Sequence, residues 1–197
     1  AVTLPAKKLN DIVRALPETQ IEFSQPSDGT VNVVADRFRS RIQALPREDF
    51  PPLPEGTGES VIRLSATTIR EMVHKTSIAI TAQDTRYYLD GALLLLSASQ
   101  MTMVATDGHR LALVTSGRDT EGEADEVRVI IPKKTLWELA QLVDPKNGLL
   151  GNEEADVLYE QGENHLFFDV SGRQLVSRMV DAQFPAHERV IPEDNNK

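Results

Sequence analysis

The compact group in this sequence best suited to acid–base or metal chemistry is Thr106-Asp107-Gly108-His109, which sets a carboxylate two positions from an imidazole. A carboxylate can orient an imidazole as a general base, and both groups ligate metals. The rest of the chain does not extend the pattern. The four histidines, at positions 74, 109, 165 and 187, form no HExxH or HxH pair. There is no Gly-x-Ser-x-Gly elbow, P-loop or GxGxxG motif. Nothing singles out a dispersed Ser-His-Asp triad. The sequence is therefore read as a non-enzyme with no catalytic residue, no metal and no cofactor, and a hydrolase centred on Asp107 and His109 is kept as a rival.

Binding chemistry finds more support, and it rests on the elements that carry the cations. At about 100° per residue, Leu9, Ile12, Val13 and Leu16 form one helical stripe, with Lys7, Asp11 and Arg14 on the other side. A second stripe, Ile69, Met72 and Val73, leaves Arg70 and His74 outside it and has Ser65 placed as an N-cap. A third, Leu136, Leu139, Ala140 and Val143, does the same with Lys134. Each helix face alone reads as ordinary solvated surface. Three in succession suggest equivalent helices carrying cations toward something anionic.

That succession is an internal repeat. Pro5, Lys7, Leu9, Ile12, Val13 and Leu16 recur 127 residues later as Pro132, Lys134, Leu136, Leu139, Ala140 and Val143. A β-rich run precedes each helix, at residues 2–4, 61–64 and 127–131. Alternating or β-rich stretches follow, at 30–35, 39–45, 87–96, 101–106, 110–115, 157–159, 165–170 and 174–180. The unit is a strand, a helix, then several strands, and its end recurs too, as Asp49-Phe50-Pro51 and Gln183-Phe184-Pro185. Pro46, Pro51, Pro52, Pro54, Gly56 and Gly58 mark a linker between one such unit and the next two.

The hydrophobic content of 40% suffices for a real core. The absence of cysteine fits a reducing compartment, so the cytoplasm is expected. The longest apolar run, residues 92–96, is far shorter than the roughly 20 residues that cross a bilayer. No basic-then-apolar stretch opens the chain, and no membrane partner is expected. Opening at Ala1 directly into a helix-like segment, the sequence is expected to be part of a longer protein. The net charge of −9 argues against a uniformly basic nucleic-acid binder. The acids crowd into apparent loops, however: Asp119, Glu121, Glu123, Asp125 and Glu126 in one, Glu153, Glu154 and Asp156 in another. One face can still be basic.

Three stretches carry a family resemblance: Arg86-Tyr87-Tyr88-Leu89-Asp90-Gly91, Val104-Ala105-Thr106-Asp107-Gly108-His109-Arg110-Leu111-Ala112, and Phe184-Pro185 followed by Arg189-Val190-Ile191-Pro192. In order and spacing they resemble the bacterial DNA sliding clamp family, the beta subunit of DNA polymerase III, and the helical segments fit as well. The resemblance implies an α+β DNA-clamp fold of repeated βαβββ units, with helices on the DNA-facing side and antiparallel sheets outside. It implies that residues 1–54 are the second half of one clamp domain, 55–59 a linker, 60–185 a second domain, and 186–197 a link, with Pro192, Glu193, Asp194, Asn195 and Asn196 as its polar tail, into a third.

The implied function is a non-catalytic processivity factor, a nucleoid-associated homodimeric ring around double-stranded DNA. Its implied partners are the replicative polymerase, the clamp loader and repair polymerases, which dock through short peptides. By the same resemblance, Lys7, Lys8, Arg14, Arg70, Lys133 and Lys134, with Gln83, Arg86, Tyr87 and Tyr88 on a nearby loop, would contact DNA. Leu89, Thr106, Gly108, His109, Arg110, Leu111, Pro185, Arg189 and Val190 would form the peptide pocket. Arg37, Arg39 and Arg41, alternating with Phe38, Ser40 and Ile42, would lie on the strand that meets a second subunit. Read without the family, Leu89, Leu111 and Val190 are plain core residues, Asp107-Gly108 is a turn, and the arginines are a charged edge that discourages aggregation. Two features depart from the family pattern: Ala186-His187-Glu188, where Glu188 could partly neutralise Arg189, and the strongly apolar run 93–96. A peptide-binding module that never meets DNA is the other rival.

Overall fold

The computed structural model describes residues 2–17, 20–27, 29–81, 85–118, 126–147 and 155–191. Gln83, the acids Asp119, Glu121, Glu123, Asp125, Glu153 and Glu154, and the tail from Pro192 lie outside the described residues. The chain divides into two compact units between Leu53 and Pro54.

The first unit runs β1 (Val2–Thr3), α1 (Ala6–Ala15), β2 (Glu22–Ser27), β3 (Thr30–Ala35), β4 (Phe38–Gln43) and β5 (Leu45–Pro46). Strands β2, β3 and β4 form an antiparallel sheet in that order, and β1 pairs with β5. Val31, Val33 and Ala35 alternate inward along β3 and, with Ile42 and Ala44, are the buried residues of this unit among those described. Helix α1 buries none of its residues. Strand β2 was not expected from the sequence, because all six of its residues are exposed and it shows no period-two pattern. Pro26, which has no N–H for the ladder, falls where its register breaks between Ser24 and Ser27.

The second unit contains two modules of the expected kind. The first is β6 (Ile62–Ser65), α2 (Ala66–Thr76), β7 (Gly91–Leu96), β8 (Gln100–Thr106) and β9 (Leu111–Gly117). The second is β10 (Val127–Pro132), α3 (Lys133–Leu142), β11 (Asp156–Gln161), β12 (His165–Val170) and β13 (Arg173–Arg178). Their leading strands are exchanged: the two antiparallel sheets are ordered β10-β7-β8-β9 and β13-β12-β11-β6. Each module thus completes the other's sheet, and neither can close its hydrogen-bond ladder alone. Ser65 caps α2 by accepting the Thr68 N–H at 3.3 Å. Helices α1 and α3 instead start after Pro5 and Pro132, with no side-chain cap.

One core joins both helices to the inner face of each sheet. Ile69, Met72 and Val73 from α2 and Leu136 and Leu139 from α3 meet Leu94, Met103, Ile131, Tyr159 and Phe168. On the outer face of the first sheet, Leu93, Val104, Ile130 and Phe184 form a second, smaller cluster. The run 92–96 is apolar throughout because β7 is covered on both faces.

Residues 57 and 58 are bonded to β11 of this unit. The Oε1 atom of Glu160, itself buried, accepts the Thr57 N–H at 2.6 Å, the Thr57 hydroxyl at 3.0 Å and the Gly58 N–H at 3.1 Å. A Cβ on Gly56 would run into the same carboxylate.

Candidate functional site

Strands β8 and β9 are joined by a turn that holds itself shut. Asp107 Oδ1 accepts the N–H groups of His109 at 2.9 Å and Arg110 at 3.0 Å, while Oδ2 lies 3.0 Å from Arg110 Nε. Thr106 Oγ1 donates to the Arg110 carbonyl at 2.8 Å and accepts the Gly108 N–H at 3.1 Å. Gly108 has φ of +84°, a region that side chains bearing a Cβ rarely adopt. Arg86 Nη2 donates to the Asp107 carbonyl at 3.3 Å, and its guanidinium occupies the space a Gly108 Cβ would enter. The N–H groups of His109 and then Arg110 hold the Asp107 carboxyl below its usual range. That carboxylate is engaged as a cap on the turn, which removes the case for it as a general base.

This turn borders the outer cluster. Tyr88 and Leu111 are half-buried against Leu93, Val104, Ile130 and Phe184, as is Val180, which bridges to Ile130 and so brings the segment after β13 to the same sheet. Beyond Phe184, the residues Pro185, Arg189 and Val190 are exposed, Val190 at 68%. An apolar floor, a polar turn and an exposed flank therefore lie close together. Leu89, at 2% exposed, lies beneath the surface and can only support such a site. His187 is buried with its ring 6.3 Å from that of Phe184, and its Nε2 is 3.5 Å from a Glu188 carboxylate oxygen. Glu188, expected to act on Arg189, thus has His187 as its partner.

The cation-bearing faces of α2 and α3 point away from the core they share. Arg70, His74, Lys133 and Lys146 line a groove of about 880 Å³ between the two helices. The two expected lysines of α3 differ. Lys133 Nζ is tied back to the carbonyls of Ile80 and Thr81, at 3.4 Å each, whereas Lys134 is exposed.

The central-domain model of the DNA polymerase III beta subunit matches residues 63–186, and the N-terminal-domain model of the same subunit matches residues 1–54. The chain belongs to the DNA polymerase III beta subunit family. The beta sliding clamp of Pseudomonas putida is 36% identical over 196 residues, covering all of this chain and 51% of the relative. That of Escherichia coli is 32% identical over 199 residues and is likewise 51% covered. The solved beta subunit of Pseudomonas aeruginosa superposes with a TM-score of 0.83 at 34% identity, over 99% of this chain and 51% of that one. The Bacillus subtilis DNA polymerase sliding clamp reaches a TM-score of 0.84 at 24% identity, over 98% of this chain and 49% of that one, a likeness of fold. The chain spans about half the length of the curated relatives it matches.

Within this beta-subunit chain, the expected site residues fall into separate groups. Lys7, Lys8 and Arg14 are exposed on α1 in the first unit. In the same unit, Arg39, Ser40, Arg41 and Ile42 lie on β4, an edge strand, with Arg37 just before it. Ile42 faces inward at 0% exposed and the two strand arginines face outward. In the second unit, Arg86 is drawn onto the turn at Gly108, so it belongs as much to the turn as to the loop with Tyr87 and Tyr88. Sequence reasoning missed Trp137, which is 64% exposed in the groove between α2 and α3. It also missed the hold that Glu160 has on residues 57 and 58. The signal for Trp137 was available, since it lies outside the apolar stripe of its helix.

Proposed function

We propose that this chain is part of a non-catalytic processivity factor that encircles duplex DNA in the bacterial cytoplasm, at the nucleoid, as a homodimeric ring. It tethers the replicative polymerase, the clamp loader and repair polymerases by their docking peptides. The observation that carries this reading is the pairing of α2 and α3: the helices of two successive repeats share a core and turn cation-bearing faces away from it. A ring needs no tight grip, because a closed loop cannot leave a duplex sideways, so a few nonspecific phosphate contacts suffice. Arg70 and Lys134 suit that role, with Lys7, Lys8 and Arg14 as their counterparts on α1. Strand β4 is the proposed intersubunit edge.

The peptide site is proposed at the outer cluster, with Leu111 as its floor, the 106–110 turn fixing register, and Pro185, Arg189 and Val190 along the flank. Buried apolar anchors supply most of the affinity in interfaces of this kind. Leu111→Asp is expected to weaken binding of a Leu- and Phe-containing clamp peptide sharply in fluorescence polarisation. Unchanged binding would remove the pocket assignment. A protein of the relatives' full length should stay on closed circular DNA and run off a linearised plasmid. Equal loss from both would favour a peptide-binding module that never encircles DNA.

A further inference from the structure

The groove between α2 and α3 holds an aromatic side chain that the fold does not use. The apolar stripe of α3 is complete without Trp137: Leu136 and Leu139 enter the core at 1% and 0% exposed, while the indole remains 64% exposed. Ile78, at 69% exposed, lines the same groove. An indole left in water forgoes one of the largest apolar burials any side chain can make. Its neighbours are cationic. Lys133 and Lys134 stand four and three positions before it on the helix, and Arg70 and Lys146 line the groove. The two carboxylates present are engaged within the protein. Glu71 pairs with Lys75, and Asp144 Oδ1 accepts the Lys146 N–H at 3.0 Å. Among the described residues no ion pair engages Arg70, Lys134 or Lys146.

We propose that Trp137 is a stacking platform for an unpaired base, and that the α2–α3 groove therefore binds single-stranded DNA in preference to duplex. The inference rests on the reading of this helix face as DNA-facing and adds a specificity to it. Cations attract phosphates of either form, and this accounts for nonspecific affinity. An indole is selective for a different reason. In a duplex the base faces are occupied by their neighbours, so the flat side of Trp137 has nothing to meet. In a single strand every base offers one, and stacking is tolerant of sequence. Ile78 would pack against the same base or its sugar. The groove would thus hold the chain at the junction where a primer ends and bare template begins.

The chain has one tryptophan, so its emission reports on this site alone. At low salt, an oligo-dT strand is expected to quench that emission, and a hairpin duplex with the same number of phosphates is not. By polarisation of a labelled strand, Trp137→Ala should weaken oligo-dT binding about 5-fold or more, the scale of one lost base–aromatic stack. Duplex binding should be unchanged. Trp137→Phe should retain most of the single-strand affinity, and Lys134→Ala should weaken both forms alike. Oligo-dT binding with unaltered emission, equal quenching by duplex, or wild-type affinity in Trp137→Ala would each overturn the stacking role and leave the cationic face standing. If neither DNA form binds, the DNA-facing reading itself fails, and this inference falls with it.

Discussion

Two regions of this molecule carry the same pattern and treat it differently. Leu9, Ile12 and Leu16 in the first unit correspond to Leu136, Leu139 and Val143 in the second. The later three are almost completely buried, whereas α1 buries none of its residues. The module ends diverge in the same way: Phe184 is 3% exposed and its counterpart Phe50 is 56% exposed. In the second unit, α3 packs beside α2, and β11 takes β6 from the other module as its neighbour. In the first unit, β2 is an edge of its sheet. An amphipathic stripe thus specifies which face of a helix must be covered, and a second module does the covering. Burial of such a stripe is a property of the pair of modules, not of one alone.

The sharpest test of this contrast is at the two phenylalanines. Phe184→Ala should destabilise the second unit by about 3–5 kcal/mol, as expected for a buried aromatic truncated in a core. Phe50→Ala should cost no more than about 0.5 kcal/mol, as surface changes do. Urea denaturation followed by circular dichroism separates the two, and equal costs would break the comparison. At the helices, Leu139→Ala should cost about 2–5 kcal/mol. Ile12→Ala, starting from a half-exposed side chain, should cost less than about 1 kcal/mol. A larger loss at Ile12 would mean that α1 is covered after all.

Smaller effects distinguish how the helices begin. Ser65→Ala should cost about 0.5–2 kcal/mol, because it leaves the Thr68 N–H without its acceptor. No single side-chain deletion before α3 has an equivalent, since Pro132 offers no cap. The smallest expected effect concerns pH. The folded pKa of Asp107 lies below its ordinary value of about 3.9. Its contribution to the turn is therefore fully present above that value and disappears as pH falls through the lower folded one. The protection of the His109 and Arg110 amides from exchange, taken relative to the intrinsic rate at each pH, should fall in acid for the wild type, and Asp107→Asn should be less sensitive. Equal acid sensitivity in both would remove Asp107 as the cap.

Much of this architecture was legible in the residues. The three stripes, the Ser65 cap and the repeat of strand, helix and strands follow from local periodicity, which any chain displays whether or not it is folded. Strand β2 was illegible, since an exposed edge strand carries no hydrophobic alternation to read. The cations beside the apolar stripes were visible as a set. Their separate circumstances were not: Lys133 is held by two carbonyls, Arg86 is laid against Gly108, and Lys134 is left exposed. Those differences depend on which backbone atoms come within about 3.5 Å, and spacing along the chain says nothing of that.

The amino-acid sequence by itself determined the class of fold, the family and the phase of each helix, because these depend on patterns only a few residues long. Only the tertiary structure decided that the modules exchange their leading strands, that Glu160 binds the backbone of residues 57 and 58, and that Lys133 is tied to two carbonyls while Lys134 is left exposed. The reason is physical. A hydrogen bond or a covered face joins residues roughly 30 to 100 positions apart here, as Leu64 on Val157 and Thr57 on Glu160 do, and such a bond forms only where the two ends meet.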